Sequence, residues 1–138
     1  MCIACKLPAW KALRLLRQFN MANTSVIRIG GKTVALSVTA SAHAAVQLTG
    51  FTPDQINYVA CMNTGAVNVA IKFSQISTDS ATLPVDGTPG DFLLPALMEF
   101  PIVIACPPVN SQLPCYVTAI GAGAGPSLVY VTPAVDQS

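Results

Sequence analysis

The hydrophobic positions of this chain change period once. In residues 8–19, Ala12, Leu13, Leu15, Leu16 and Phe19 share one arc of a helical wheel, while Lys11, Arg14, Arg17 and Gln18 share another. Trp10 falls among the basic residues, and Pro8 suits a first helical turn. The pattern predicts a short amphipathic helix. At a dozen residues it needs a partner surface to persist in water: its own domain, a neighbouring subunit or a membrane surface. From Val26 the period becomes two. Val26–Ile29 and Thr33–Leu36 read as strands around a Gly30-Gly31 hairpin turn, followed by a weaker strand over 44–48 and a strong one over 56–62. Asn63-Thr64-Gly65 reads as a turn whose glycine supplies positive φ. The cleanest alternation sets Val67, Val69, Ile71 and Phe73 inward against Asn68, Ala70, Lys72 and Ser74.

Residues 75–91 carry Ser, Thr, Asp, Gly and Pro and read as the longest loop. Short strands are expected over 92–94 and 98–105. Phe100, Ile102 and Ile104 face together in the second, and Pro101 marks an edge or a bulge. A final pair, 115–120 and 128–132, flanks the glycine-rich 121–126 turn. About seven to nine short strands with turns roughly every 8–12 residues favour an all-β sandwich or barrel over a βαβ fold. The chain divides into a basic arm, residues 1–25, and a β domain, residues 26–138. Met21-Ala22-Asn23-Thr24-Ser25 also looks like an ordinary chain start, so residues 1–20 read either as an upstream extension or as a working arm.

Composition sharpens this. In 138 residues, 52% are hydrophobic and 9% charged, against roughly 25% charged in ordinary soluble domains. No apolar run approaches the ~18 residues of a helical membrane span, and the apolar fraction excludes a disordered chain. So few charges expose a β surface to edge pairing unless an assembly covers it. A surface kept soluble by Ser, Thr, Asn and Gln is the alternative. Net charge is +1, but residues 1–32 hold six bases and no acid, while the remainder holds Lys72 and all six acids. A basic arm on an acidic body can dock on an acidic protein, nucleic acid or anionic lipid.

Catalytic and metal chemistry find few parts. Gly31-Lys32-Thr33 lacks the upstream glycine of a phosphate loop, where Val26 stands, and no helix is expected after it. Gly121, Gly123 and Gly125 lie between two strands rather than between strand and helix. His43 is the only imidazole and has no nucleophile motif beside it. Asp79, Asp86 and Asp91 do not match a calcium-loop spacing. Cys2-x-x-Cys5 lacks a redox-fold context, and Cys106 and Cys115 lie too far along the chain to suggest a shared zinc site. With five cysteines and no secretory signal, thiols in a reducing compartment are expected. The expectation is a non-enzyme without catalytic residues, metal or cofactor.

Two stretches carry a resemblance. Val59-Ala-Cys-Met-Asn63-Thr64-Gly65-Ala-Val-Asn-Val69-Ala-Ile-Lys-Phe73 resembles small virion proteins of tailed bacteriophages. So does Val117-Thr-Ala-Ile120-Gly-Ala-Gly123-Ala-Gly125-Pro-Ser-Leu128-Val-Tyr130-Val-Thr132-Pro133. The likeness covers roughly residues 26–133 and leaves out the basic arm. The 75–95 loop also departs from it. It implies a jelly-roll-like β-sandwich that acts as a head decoration, or cement, protein. Such a protein coats the outer surface of the capsid after assembly in the bacterial cytoplasm. It binds the major capsid protein and itself, as a dimer or trimer, without direct nucleic-acid or membrane contact. On this reading Lys6, Lys11, Arg14 and Arg17 anchor to the shell, Trp10 and Leu13 are buried anchors, and Arg28 and Lys32 extend the basic stripe. Strand 26–29 or strand 128–132 supplies an edge. A tail, neck or fibre-base protein would use the same fold. A carbohydrate-binding sandwich is the reading from another class.

Overall fold

The computed structural model describes residues 27–50, 58–105 and 114–136. The predicted helix 8–19 and the arm residues Lys6, Trp10, Lys11, Leu13, Arg14 and Arg17 lie outside them, as do Cys2, Cys5 and Cys106. Among the described residues there is no helix, and nine strands form two antiparallel sheets. They are β1 (Ile27–Ile29), β2 (Val34–Val38), β3 (Val46–Leu48), β4 (Tyr58–Asn63), β5 (Val69–Ser74), β6 (Phe92–Leu94), β7 (Ile102–Ala105), β8 (Cys115–Gly121) and β9 (Ser127–Asp136).

Sheet one runs β1-β9-β4-β7, with β2 also on β9; sheet two runs β3-β8-β5-β6. The two face each other over one core, a sandwich-like all-β fold. Leu36, Val38, Val59, Cys61, Val129 and Val131 enter the core from sheet one. Leu48, Val69, Ile71, Leu94, Cys115, Val117 and Ala119 enter from sheet two. These are alternate positions on their strands, as a two-residue period requires when one face packs and the other does not.

Several expectations change. Gly30-Gly31 is not a hairpin turn. β1 and β2 both pair antiparallel with β9, at Ile27–Ile29 against Asp136–Ala134 and at Val34–Val38 against Val131–Ser127. They are one interrupted strand with a jog at 30–33. Pro133 explains where the jog falls. Its carbonyl accepts from Gly30 N–H at 2.8 Å, so the donor that proline lacks would also have pointed at this interruption. β9 therefore continues through Pro133 instead of ending at Thr132, and it is interior, paired on both sides, rather than an edge. β1 is at an edge, as expected.

β8 and β9 are not a hairpin pair either. They lie in different sheets, and the Gly121–Pro126 stretch crosses between layers. Strand 98–105 shortens to β7, which leaves Phe100 77% exposed rather than facing with Ile102 and Ile104. Gly65 does not have positive φ. Its demand is space: a Cβ there would lie 2.3 Å from Ser127 Oγ and 2.5 Å from Ser127 Cα.

Replacement Gly65→Ala should therefore cost about 1–3 kcal/mol of stability, because backbone and a buried serine would have to move. Equilibrium denaturation checks this; an unchanged midpoint would contradict the close approach.

Candidate interaction site

The two sides of the sandwich differ. At the β2–β3 side, backbone bonds join the sheets, Lys32 N–H to Thr49 C=O at 3.3 Å and Gly121 N–H to Thr39 C=O at 2.7 Å, while His43 N–H to Ala119 C=O at 2.8 Å extends the β3–β8 pairing beside them. Gly31 bridges Gly50 there, and a Cβ on Gly31 would lie 2.2 Å from the Thr49 carbonyl oxygen. This seam is closed by main chain. At the β6–β7 side neither edge strand has a further strand partner among the described residues, and the 95–101 segment connects them.

That segment is clamped by a fully buried asparagine. Asn63 donates through Nδ2 to the carbonyls of Val67 at 2.8 Å and Pro95 at 3.1 Å, and its Oδ1 accepts from Gly65 N–H at 3.1 Å. Both amide hydrogens and the oxygen are used, as burial of such a group demands. Main-chain bonds from Leu97 N–H to Gly65 C=O and from Met98 N–H to Asn63 C=O, each 2.9 Å, add to the hold. The Asn68 carboxamide oxygen accepts from Ala96 N–H at 2.9 Å. So held, Leu97 takes φ of +53°, a left-handed conformation rare for leucine, with its side chain 69% exposed.

The result is an apolar ridge held by hydrogen bonds at its base. Of the ten large hydrophobic side chains that stand exposed among the described residues, Phe92, Leu97, Phe100 and Ile102 lie on or beside this side, while Leu93, opposite Ala70, and Val103, opposite Ala60, fall on the outer faces of sheet two and sheet one. Grouped exposed apolar side chains, unlike scattered ones, make this side the candidate interaction surface. The outer face of sheet one continues it. By the strand register, Ile29, Tyr58, Ala60, Met62, Val103, Leu128, Tyr130 and Thr132 share this face; none of these eight is charged, and the one acidic position on that side is Asp136 at the end of β9. Sheet two differs. On its outer face Ala70 and Thr118 are buried, and Lys72 and Ser74 both hold Asp79, so the segment after β5 folds back over that layer. Ala70 was expected nearer water; the returning segment explains its burial.

Residues that sequence reasoning weighed for chemistry take structural roles. His43 Nδ1 lies 2.7 Å from its neighbour's carbonyl, and its own carbonyl accepts from Thr118 Oγ1. Asp79 pairs with Lys72 at 3.6 Å. Asp91 Oδ2 accepts from Thr82 N–H at 2.7 Å and from its hydroxyl at 3.0 Å, closing a loop whose tip is a Val85–Thr88 bridge over Asp86 and Gly87. The three acids thus work separately, and no cluster fit to hold a metal exists among the described residues. Cys61 and Cys115 are buried thiols in the core. Burial pushes Cys61 up to about 12, far from a nucleophile's range. Arg28 and Lys32 are both exposed beside the jog at the β1 edge, where the arm joins the body. The ridge was missed because its residues come from the ends of two strands and a loop, and nothing in their spacing announces a shared surface. The available signal was Asn63 at the end of an apolar strand. Comparison with family models, curated proteins and solved structures found no match to this chain.

Two outcomes are expected. Removing the clamp by Asn63→Ala leaves buried carbonyls without donors and should cost about 1–3 kcal/mol. The amides of Leu97 and Met98 should lose hydrogen-exchange protection first. The second concerns pH. The Ser74 hydroxyl, with the Lys72 ammonium, holds the Asp79 carboxyl below the usual aspartate value. Its stabilising contribution is therefore whole above the unfolded pKa of ~3.9, and fades as pH falls to the folded value. Ser74→Ala should raise the Asp79 midpoint in an NMR titration.

Proposed function

We propose that this chain is a non-enzymatic coat component, a decoration or cement protein on the outer surface of a tailed-phage capsid. The observation that carries the reading is the outer face of sheet one, uncharged from Ile29 and Tyr58 to Val103 and Leu128, joined to an open apolar side, in a chain with so few charges. Interface cores are depleted in charge and enriched in aromatic and apolar groups, and this surface has that make-up. The strand order supports the finer fold. With β1 and β2 counted as one interrupted strand, eight strands fall into two four-stranded sheets ordered 1-8-3-6 and 2-7-4-5. We read this order as jelly-roll-like, an architecture used by viral coat domains and lectins.

In this reading the body lies flat against capsid protein through its uncharged face, and copies associate as dimers or trimers. The basic arm, Lys6, Lys11, Arg14 and Arg17, with Arg28 and Lys32 at its root, supplies electrostatic attachment to acidic capsid surface; Trp10 and Leu13 add apolar anchoring. Many copies in a coat turn weak single contacts into lasting attachment.

Deleting residues 1–20 should weaken binding to empty phage heads and flatten its salt dependence, read by gel densitometry of sedimented particles. The double replacement Arg28→Glu with Lys32→Glu, both at exposed positions, should leave thermal stability unchanged. It should lower affinity about twofold to fivefold per residue at low salt. Full occupancy by the truncated chain would refute the arm's role. A handful of copies per particle, instead of hundreds, would point to tail or neck.

A further inference from the structure

We propose that β7 is a docking edge for β7 of a second copy, joined antiparallel across a twofold axis so that sheet one continues from copy to copy. The inference is independent of the coat reading, because it concerns the purified chain in solution, and head binding tests the coat separately.

Backbone geometry fixes which groups β7 offers. In an antiparallel sheet the N–H and C=O of one residue point to the same neighbour, and those of the next residue point to the other. The Pro133 carbonyl is taken by Gly30 on the β1 side. Val59, opposite Pro133, therefore turns its groups away from β9 and toward β7. By alternation Cys61 does the same, and Asn63, whose carbonyl accepts from Met98 N–H, keeps the series. Val59 and Cys61 stand opposite Ile104 and Ile102. Those two isoleucines direct their main-chain groups to β4. Val103 and Ala105 direct theirs outward, to an edge with no further strand among the described residues. Pro101 fits the series, since its missing N–H falls on the outward side, where no ladder loses a donor.

The other edges are guarded. β1 carries Arg28 and stops at the jog, β2 and β3 meet at the main-chain seam, and β6 directly follows Asp91. β7 reads Ile-Val-Ile-Ala, an uncharged and strongly strand-forming run of the kind that invites pairing. Its core-facing row is also unfinished. Ile102, opposite the buried Cys61, is still 37% exposed at the end of the sheet.

Self-complementarity selects the occupant. With Ile104 on the axis, opposite its own counterpart, Val103 lies opposite Ala105 of the second copy, and each such pair exchanges two bonds. Every outward donor and acceptor of Val103 and Ala105 is then used, and nothing is asked of Pro101. The axis stands perpendicular to the sheet, so core-facing rows meet core-facing rows, as an isologous contact requires. Moving the axis to Val103 would set Pro101 against Ala105 and leave the Ala105 carbonyl without a donor. Charge does not oppose the joint. From Phe100 to Val135 the chain has no charged residue, and Glu99 of each copy falls at opposite ends of the antiparallel pair. Main-chain bonds made this way are the usual means by which a strand is added to a sheet edge.

The test is amide exchange in the full wild-type chain, followed by NMR over a concentration series, with sedimentation equilibrium on the same samples. The expected result alternates. The amides of Val103 and Ala105 should slow by roughly tenfold or more as the dimer forms, while those of Ile102 and Ile104 are protected throughout. In a mixture of carbon-13-labelled and unlabelled chains, the Hα protons of Ile104 should show a contact between copies, because a non-hydrogen-bonded pair brings them close. Four results would each overturn the proposal: a chain that stays monomeric at millimolar concentration, a dimer in which Val103 and Ala105 exchange freely, a dimer without the Ile104 contact, or protection already complete in the monomer. The last would mean that the chain's own residues hold the edge. Val103→Pro removes an outward N–H and no bond to β4. It should keep the folded spectrum and weaken dimerisation roughly tenfold or more. If the wild type is dimeric at every concentration, this variant supplies the monomer, in which Ala105 should exchange fast. Undiminished dimerisation of the variant would overturn the proposal too.

Discussion

β9 is the constraint on which the rest depends. Ten residues long, it is paired along both edges, with β1 and β2 on one side and β4 on the other. Its inward row, Val129, Val131 and Pro133, lines the core, while Leu128, Tyr130 and Thr132 line the open face. Since side chains alternate, a slip of one residue against β4 would bury the second row and expose the first. Pro133 narrows the choice further, because a strand that lacks one donor accepts a full partner only where that partner is broken. The Gly30-Gly31 jog is that break. Register, jog and the closed seam beyond it are therefore one decision, made by packing and main-chain bonding together.

The closed and open sides follow from the same arrangement. At the seam, glycines let backbone approach backbone, and the carbonyls and amides of two layers satisfy each other. At the far side no such main-chain closure exists among the described residues, and a side chain makes the tie instead. Asn63 reaches across the β4–β5 turn and ties down the segment between β6 and β7. A buried carboxamide costs several hydrogen bonds if any is missing, and here all are made. What it secures is a surface rather than the core: apolar side chains held outward in a fixed shape.

This asymmetry bears on function through solvation. A chain with 9% charged residues has little to keep two of its uncharged faces apart in water. Sheet two covers part of its outer face with the segment after β5, pinned through Asp79, and leaves Leu93 exposed. On sheet one Ala134 is buried, but Ile29, Val103 and Leu128 stand exposed on the outer face, as do Phe92, Leu97 and Phe100 beside it. A protein built this way is stable as a fold but incomplete as a surface, which is the physical sense of reading it as a unit of an assembly.

Sequence by itself determined the all-β class, most strand positions and the inward rows. Those depend on a two-residue period and on turn residues, which are local. The alternation from Val67 to Phe73 and the Pro101 edge signal are of this kind. Tertiary structure alone decided that β1 and β2 are one broken strand, that β8 and β9 part into different sheets, and that Gly65 serves space rather than φ. It also decided that Phe100 points into solvent and that Asn63 holds the ridge. Each of these rests on contacts between residues about thirty to a hundred positions apart. Which strand finds which is settled by the sum of core packing and hydrogen bonding over the whole chain, and no local pattern carries that sum.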